Sequence, residues 1–119
     1  MDNLSLNYLN LIQKRYIFNM EFEYDAQKSK ANQLKHGVSF EEAKQFWLIP
    51  GIKAEGRRAS NEFRFIRIVE WNGKFYSCVF TIRENKTRLI SVRRSRPDEI
   101  RFYREEMRKN EGTKEKEST

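Results

Sequence analysis

Arginines dominate the side chains of this sequence that could do chemistry. Several of them lie on segments rich in β-forming residues: Arg64, Arg83, Arg88, Arg93 and Arg94. A guanidinium group is a permanently charged, forked donor that fits phosphate, and its pKa above about 12 prevents it from acting as a base at neutral pH. These residues therefore predict a surface that binds an anion.

Cleavage of RNA is the first reaction to consider at such a surface. Attack by a 2′-hydroxyl on the neighbouring phosphorus needs a proton acceptor, a proton donor and cations for the charge on the non-bridging oxygens. His36 is the only histidine, so a mechanism with two histidines is excluded within one chain. Proton transfer would depend on His36, on a lysine such as Lys28 or Lys35, on a tyrosine or on a carboxylate.

Metal-dependent hydrolysis has less support. A magnesium site needs two or more converging carboxylates, and the only suggestive spacing, Glu84 with Lys86, falls on a predicted turn. The single cysteine, Cys78, is predicted to be a small buried hydrophobic residue, and one cysteine with one histidine is a poor zinc site. The sequence has no glycine-rich phosphate loop and no Ser-His-Asp set, so we expect no cofactor.

Each candidate group also has a purely structural interpretation. His36 lies at a predicted helix end and could interact only with the helix dipole, which its spacing alone favours. Tyr103 fits the packing stripe of its own helix. A run of charges is usually solvated, but the arginines alternate with Ile66, Val79 and Ile90. That alternation argues against a wholly solvated surface.

Length and charge limit the class of protein. At 119 residues the chain is long enough for one domain. Its formal net charge of +7 at pH 7 favours nucleic acid as the partner, with acidic proteins as the alternative. We see neither a signal-peptide pattern nor an apolar run long enough to span a membrane, so we expect a cytoplasmic protein without a membrane segment.

The turn Asn72-Gly73 positions two of these arginines, Arg64 and Arg83. Both residues tolerate positive φ, as a type I′ turn requires, and β-forming residues flank them. The predicted hairpin pairs Trp71 with Lys74 and Arg64 with Thr81. It places one set of side chains on what we call the core face: Phe63, Phe65, Val69, Trp71, Tyr76, Cys78, Phe80 and Ile82. It places another set on what we call the arginine face: Arg64, Ile66, Ile68, Glu70, Phe75, Ser77, Val79, Thr81 and Arg83.

A third strand is predicted over residues 87–95, and two registers are open for it. A two-residue loop at Asn85-Lys86 would place Arg88 and Arg94 on the arginine face. A three-residue loop would place Ser91 and Arg93 there instead. Either register adds positive charge to the arginine face.

Three helices are predicted around this sheet. The first follows the N-cap residue Asp25 and ends at His36. The second begins at the capping box of Ser39 and Glu42, and the third begins at Pro97. The first helix should bury a thin stripe made of Ala26, Ala31 and Leu34.

The predicted order is β-α-α-β-β-β-β-α, an α+β fold with an antiparallel sheet and helices packed on one face. We expect a compact domain over residues 20–109. Residues 1–19 are expected to be an N-terminal extension that is dispensable; alternatively, their apolar residues dock on the arginine face or on a second copy. Residues 110–119 lack an apolar anchor and are expected to be a disordered tail that follows the last helix.

Much of this sequence resembles the BrnT toxins. The N-terminal signature is matched by Phe22-Glu23-Tyr24-Asp25, Lys28, Asn32, Lys35-His36-Gly37-Val38-Ser39-Phe40 and Glu42-Ala43. The second half is matched by Arg64 before Ile66, Thr81-Ile82-Arg83, Arg88-x-Ile90-Ser91-x-Arg93-Arg94 and Glu99-x-Arg101-x-Tyr103. The resemblance covers about residues 20–107. The chain departs from the family in Tyr24, where Trp is commoner, and in the residues before the first strand.

The resemblance implies a RelE-like fold and a metal-independent ribonuclease toxin of a type II toxin–antitoxin system, which blocks translation. It also implies a ribbon-helix-helix antitoxin similar to BrnA, assembly as a heterotetramer and indirect binding to operator DNA. The candidate catalytic residues are His36, Arg64, Arg83 and Arg93. The candidate RNA-binding residues are Lys28, Lys35, Arg88, Arg94 and Tyr103. The alternative is a non-catalytic basic module that binds nucleic acid or acts as a co-repressor.

Overall fold

The computed structural model describes residues 20–58 and 61–118, with side chains up to residue 110. The predicted extension, residues 1–19, lies outside the described residues. The described strands are β1 (Phe22–Glu23), β2 (Gly51–Glu55), β3 (Arg64–Trp71), β4 (Lys74–Arg83) and β5 (Lys86–Arg94). The described helices are α1 (Ala26–His36), α2 (Phe40–Ala43), a 3-10 helix (Lys44–Trp47) and α3 (Pro97–Ser118). The order of strands and α-helices is the predicted one, and the 3-10 helix continues directly from α2.

The hairpin of β3 and β4 has the register that the sequence predicts. Asn72-Gly73 forms its turn, with φ angles of 53° and 76°. Trp71 pairs with Lys74 at the turn, and Arg64 pairs with Thr81 at the far end. The assignment of side chains to the core face and the arginine face is therefore confirmed.

A β-bulge changes the register of β5. The turn before it is Glu84-Asn85, with φ angles of 52° and 65°, so the predicted loop at Asn85-Lys86 is wrong by one residue. Arg88 pairs with Thr81 of the arginine face. A shift in the pairing with β4 then leaves Ile90 as an extra residue. Beyond this extra residue, Arg93 pairs with Ser77 and so also lies on the arginine face. Neither predicted register places both arginines there, because an unbroken strand alternates its faces.

The described sheet has the strand order β1-β5-β4-β3-β2. The pairs β2–β3, β3–β4 and β4–β5 are antiparallel. Strand β1 instead runs parallel to β5, with Phe22 opposite Thr87. The prediction of a wholly antiparallel sheet is wrong at this edge. No hairpin joins β1 to β5, since the helices and three strands lie between them in sequence, so chain connectivity does not force them to be antiparallel.

Helices pack on both faces of the sheet, and the prediction that they pack on one face is wrong. Helices α1 and α2 and the 3-10 helix cover the core face, where Phe40 and Phe46 are buried. Helix α3 packs on the arginine face, where Tyr103 meets Phe75 edge-on with ring centroids 5.3 Å apart. The physical reason is that the arginine face also carries apolar side chains. Ile68 on that face is only 1% exposed.

Helix α1 has the predicted ends but a different buried side. Asp25 accepts hydrogen bonds from two backbone amides of the first turn, and Gly37 ends the helix with φ of 79°. The predicted stripe of Ala26, Ala31 and Leu34 is wrong, since Leu34 is 89% exposed. The buried residues of the helix are instead Ser29 and Asn32.

Hydrogen bonds explain why polar residues hold α1 in place. The side-chain amide nitrogen of Asn32 donates to the carbonyl oxygens of Val38 and Val92, at 2.8 Å each, and its oxygen accepts from the amide of Val92. The hydroxyl of Ser29 accepts from the amide of Phe40. These bonds join α1 to β5 and to the start of α2, so the helix needs little apolar burial of its own.

The core face also contains a partly buried arginine. Arg67 donates from Nε to the carbonyl of Phe46 at 2.8 Å and from Nη2 to the carbonyl of Ile49 at 2.9 Å. Burial lowers its pKa. Cys78 is fully buried, as predicted, and burial raises the pKa of its thiol. Arg67 thus fastens the segment after the 3-10 helix to the sheet.

Helix α3 is longer than predicted. It starts at Pro97 and runs to Ser118, although we expected it to end near residue 110. Lysine and glutamate, both good helix formers, are frequent among residues 111–117. The division of the chain into extension, domain and tail stays a prediction. Among the described residues, no helix is long and apolar enough to cross a membrane.

Candidate functional site: an arginine cleft

A cleft of about 830 Å³ opens on the arginine face, between α3 and the ends of β2 and β3. We call it the arginine cleft. Its basic side chains are Arg57, Arg64, Arg93 and Arg96, and its acidic ones are Glu55, Asp98 and Glu99. Its large apolar side chains are Ile66, Ile68, Val79 and Phe102. This combination suits a ligand with anionic and apolar parts, and a nucleotide is such a ligand.

A smaller cavity of about 220 Å³ lies next to the arginine cleft, near the bulge of β5. We call it the edge cavity. Its basic side chains are Lys28, Arg64, Arg83 and Arg88. Lys28 comes from the first turns of α1, whereas the arginines come from three different strands. Arg64 lines both cavities, so a chain of phosphates could contact it from either side.

Arg64 combines a buried nitrogen with an incomplete set of partners. Its Nε is buried and has no hydrogen-bond partner among the described residues. The nearest acid is Glu62, whose Oε2 is 3.7 Å from that nitrogen. The other oxygen of Glu62 accepts a 2.8 Å hydrogen bond from Nη2 of Arg83. A buried donor without a bond costs free energy, so Arg64 is a strong candidate for binding an anionic ligand.

Arg93 has a closer acidic partner. Its two terminal nitrogens donate to the two oxygens of Glu99, at 2.8 and 2.9 Å. Glu99 also accepts from the hydroxyl of Ser77 at 3.1 Å and from the backbone amide of Arg96 at 2.7 Å. Because Glu99 is in the first turn of α3, these bonds connect that helix to strands β4 and β5. They also fix the direction of the Arg93 side chain.

The ion pair of Arg93 and Glu99 shifts the pKa of both groups. The hydrogen bond to Glu99 raises the pKa of Arg93, against the effect of burial. Burial raises the pKa of Glu99, but the hydrogen bonds from Arg93, from the Arg96 amide and from Ser77 outweigh it, so the net pKa is lowered. Glu99 is therefore ionised at neutral pH and is a weak proton acceptor.

Four predicted site residues lie elsewhere. His36 ends α1, about 12 Å along the helix axis from Lys28, and the exposed Lys35 precedes it. Neither lines the arginine cleft or the edge cavity. Arg94 lies on the core face, with its guanidinium 5.8 Å from the ring centroid of Tyr76. Tyr103 packs on Phe75, and burial raises the pKa of the Tyr103 hydroxyl.

Several residues of these cavities were not singled out as site residues in the sequence. They are Glu55, Arg57, Glu62, Arg96, Asp98, Glu99 and Phe102. A signal existed for Glu99, because a glutamate at the third helical position commonly bonds back to the N-cap amide. Asp98 and Phe102 join the arginine cleft through the packing of α3 on the sheet, whereas Glu62 lines the edge cavity, which contains no residue of α3. Within the described residues, no three His, Cys, Asp or Glu side chains are arranged to hold a metal ion.

These features define a small, basic α+β protein with a cleft suited to anions. The sequence model of a family described as "Ribonuclease toxin, BrnT, of type II toxin-antitoxin system" matches residues 24–99. The chain therefore belongs to the BrnT family of ribonuclease toxins. Membership implies an RNA substrate and an antitoxin partner. Neither the comparison with curated proteins nor that with solved structures gives a significant match.

Proposed function

We propose that the arginine cleft binds single-stranded RNA and cleaves it without a metal ion, so that the free toxin blocks translation. The observation that carries this proposal is the position of Arg64, which lines both cavities and has a buried nitrogen without a hydrogen-bond partner among the described residues. The side chain of Arg64 as a whole is 35% exposed, and a phosphate oxygen in the cleft would supply that partner once the guanidinium turns towards it. The single-stranded form lets bases and phosphates enter the cleft together.

The proposed reaction uses the RNA itself as nucleophile. Arg64 and Arg93 hold the scissile phosphate, while Arg83, Arg88 and Lys28 contact the next phosphate in the edge cavity. The 2′-oxygen attacks phosphorus as a carboxylate of the cleft, Glu55 or Asp98, accepts its proton. The bond from phosphorus to the 5′-oxygen then breaks, and that oxygen takes a proton from water. The products are a 2′,3′-cyclic phosphate and a 5′-hydroxyl.

The toxin adopts a RelE-like fold and acts in the cytoplasm. A ribbon-helix-helix antitoxin similar to BrnA neutralises it in a heterotetramer, and this complex reaches operator DNA through the antitoxin. The support is the membership of the family together with the basic surface described above. His36, Lys35, Arg94 and Tyr103 have no assigned role at the scissile phosphate, because they lie outside both cavities.

A cleavage assay tests the proposal directly. Purified toxin is incubated with a single-stranded RNA in excess EDTA, and the product ends are identified by mass spectrometry. We expect cleavage with 2′,3′-cyclic phosphate ends. Loss of activity in EDTA that magnesium restores would refute the proposed mechanism. Binding of RNA without any cleavage would support the non-catalytic alternative, a nucleic-acid-binding or co-repressor module.

A pair of arginine variants separates positioned contacts from general attraction. We expect Arg64→Ala to lower the cleavage rate about 100-fold, the usual cost of losing one donor to a transition-state oxyanion. Arg58→Ala removes the same charge from an exposed position that lines neither cavity, and should change the rate by less than about threefold. Equal losses that low salt restores would show that the site is only a diffuse basic field.

A further inference from the structure

An apolar patch stays uncovered at one end of the core face. Phe63 is 64% exposed and Ile82 is 53% exposed. With the partly buried Phe65 they line a cavity of about 480 Å³. The acidic and basic groups beside it, Glu62 and Arg83, bond to one another at 2.8 Å. Two cations border the aromatic rings of the patch: Cζ of Arg58 lies 4.8 Å from the ring centroid of Phe63, and Nζ of Lys53 lies 5.0 Å from that of Phe65. The patch therefore offers apolar surface with a positively charged rim, and its apolar centre favours an apolar occupant.

The pairing of the strands brings this patch close to the start of β1. Ile82 pairs with Thr87, which pairs with Phe22 of β1, so these three residues form one row across the sheet. The amide of Thr87 donates to the carbonyl of Glu21, which continues the contact towards Met20. Neighbouring strands are about 4.8 Å apart, so Ile82 lies about 10 Å from β1. Phe63, next to it, lies about one strand further.

The segment that precedes Met20 has the composition to cover such a patch. Its large apolar residues are Leu4, Leu6, Tyr8, Leu9, Leu11, Ile12, Tyr16, Ile17 and Phe18. Its length of 19 residues would reach about 28 Å as a helix and more if extended, which exceeds the distance to the patch. Because the segment is covalently attached, its effective concentration at the patch is high compared with that of a second copy.

We propose that residues 1–19 fold back onto the patch formed by Phe63, Phe65 and Ile82. On the arginine face, which the sequence offered as an alternative docking place, α3 covers part of the sheet, and the cleft left open beside it is lined by charged side chains. The segment thereby becomes part of the folded protein. This inference does not depend on cleavage of RNA, so it can fail or hold independently of the proposed function.

Photo-crosslinking in the full-length protein tests which occupant covers the patch. Phe63 is replaced by the photoreactive p-benzoylphenylalanine, and equal amounts of unlabelled and ¹⁵N-labelled protein are mixed before irradiation. We expect crosslinked peptides that join position 63 to residues 1–19 within one isotope type. The same replacement at the exposed Leu34 of α1 should give no such peptide. Products of mixed isotope, or none with residues 1–19, would overturn the proposal.

Limited proteolysis gives a second readout that is independent of crosslinking chemistry. Trypsin cleaves after Lys14 and Arg15, and docking should slow both cuts. We expect Ile82→Ser to raise the initial cleavage rate at these sites about tenfold, whereas Leu34→Ser should leave it unchanged. Circular dichroism confirms that both variants are folded. Cleavage of the wild-type protein as fast as a synthetic peptide of residues 1–19 would contradict docking.

Discussion

Glu99 holds Arg93 through two parallel hydrogen bonds of 2.8 and 2.9 Å, one to each carboxylate oxygen. Arg93 lies on β5, and Glu99 lies in the first turn of α3, which follows β5 in the sequence. The pair therefore links the packing of α3 to the geometry of the cleft. An arginine held in this way loses less side-chain entropy when it meets a phosphate.

The first prediction concerns this pair. Glu99→Gln should lower the free energy of unfolding by about 1–3 kcal/mol, because Arg93 then lacks its charged partner in a mostly buried position. It should also lower the rate of RNA cleavage, since Arg93 is no longer oriented. Urea denaturation measures the first effect. Asp98→Asn, at an exposed position of the same helical turn, is the control and should leave stability nearly unchanged.

The same pair predicts a dependence of stability on pH. The pKa of Glu99 is lower in the folded protein than its ordinary value of 4.5. Its contribution to stability is therefore complete above about pH 5 and is lost as the pH falls through the folded pKa. Urea midpoints at several pH values between 3 and 6 should fall less steeply for Glu99→Gln than for the wild-type protein. Parallel curves would show that Glu99 contributes nothing to the acid sensitivity.

The third prediction is that His36 does not take part in proton transfer. His36→Gln should change the cleavage rate by less than about threefold, because His36 lies about 12 Å along the helix axis from Lys28 and outside both cavities. A general acid or base usually contributes a factor of about 100 or more. A loss of that size, with an unchanged melting temperature, would assign the role to His36 after all.

The fourth prediction concerns the attachment of α1. Asn32→Ala should lower the free energy of unfolding by about 2–3 kcal/mol, since backbone groups of Val38 and Val92 would lose buried hydrogen bonds. Gln33→Ala, at the exposed neighbouring position, should have little effect. Denaturant titration of the two variants measures the difference. Similar midpoints would mean that other contacts hold the helix.

The fifth prediction concerns the close approach of Gly51 to Arg67. A Cβ atom at position 51 would lie 2.8 Å from Cζ of Arg67 and 2.9 Å from Cγ1 of Val69. Arg67 cannot move away without breaking its bonds to two carbonyl oxygens. Gly51→Ala should therefore cost about 1–3 kcal/mol of stability. The loss should be smaller when Arg67→Met is already present, and strictly additive losses would contradict the steric explanation.

Local rules predicted much of this fold from the sequence. The turn at Asn72-Gly73 determines the pairing of two strands, and Asp25 with Gly37 determines the ends of α1. In each case the residues that encode the feature are neighbours in the sequence. The parallel edge strand could not be predicted, because it depends on a contact between distant segments. The bulge at Ile90 lies within a local hairpin, but a register extended from the turn by strict alternation of faces does not allow for an extra residue.

The candidate site was predictable only in part, for a related reason. The hairpin register placed Arg64 and Arg83 on one surface and left Arg88 as one of two alternatives, and all three line one cavity. The packing of α3 on the arginine face adds Glu99 and Phe102 to the cleft, and no local pattern specifies on which face a helix will pack.

The carboxylates beside the arginines also determine how the site should respond to salt. Arg64 and Arg83 share Glu62, Arg88 lies 3.5 Å from Glu23, and Arg93 is held by Glu99. The anions beside these arginines are thus the carboxylates of Glu23, Glu62 and Glu99. An arriving phosphate must share or replace these carboxylates. The carboxylates therefore act as built-in counterions of the arginines and take the place of some anions from solution. RNA binding should then release fewer salt ions than the number of arginines suggests, and its affinity should fall less steeply with ionic strength than the net charge of +7 implies.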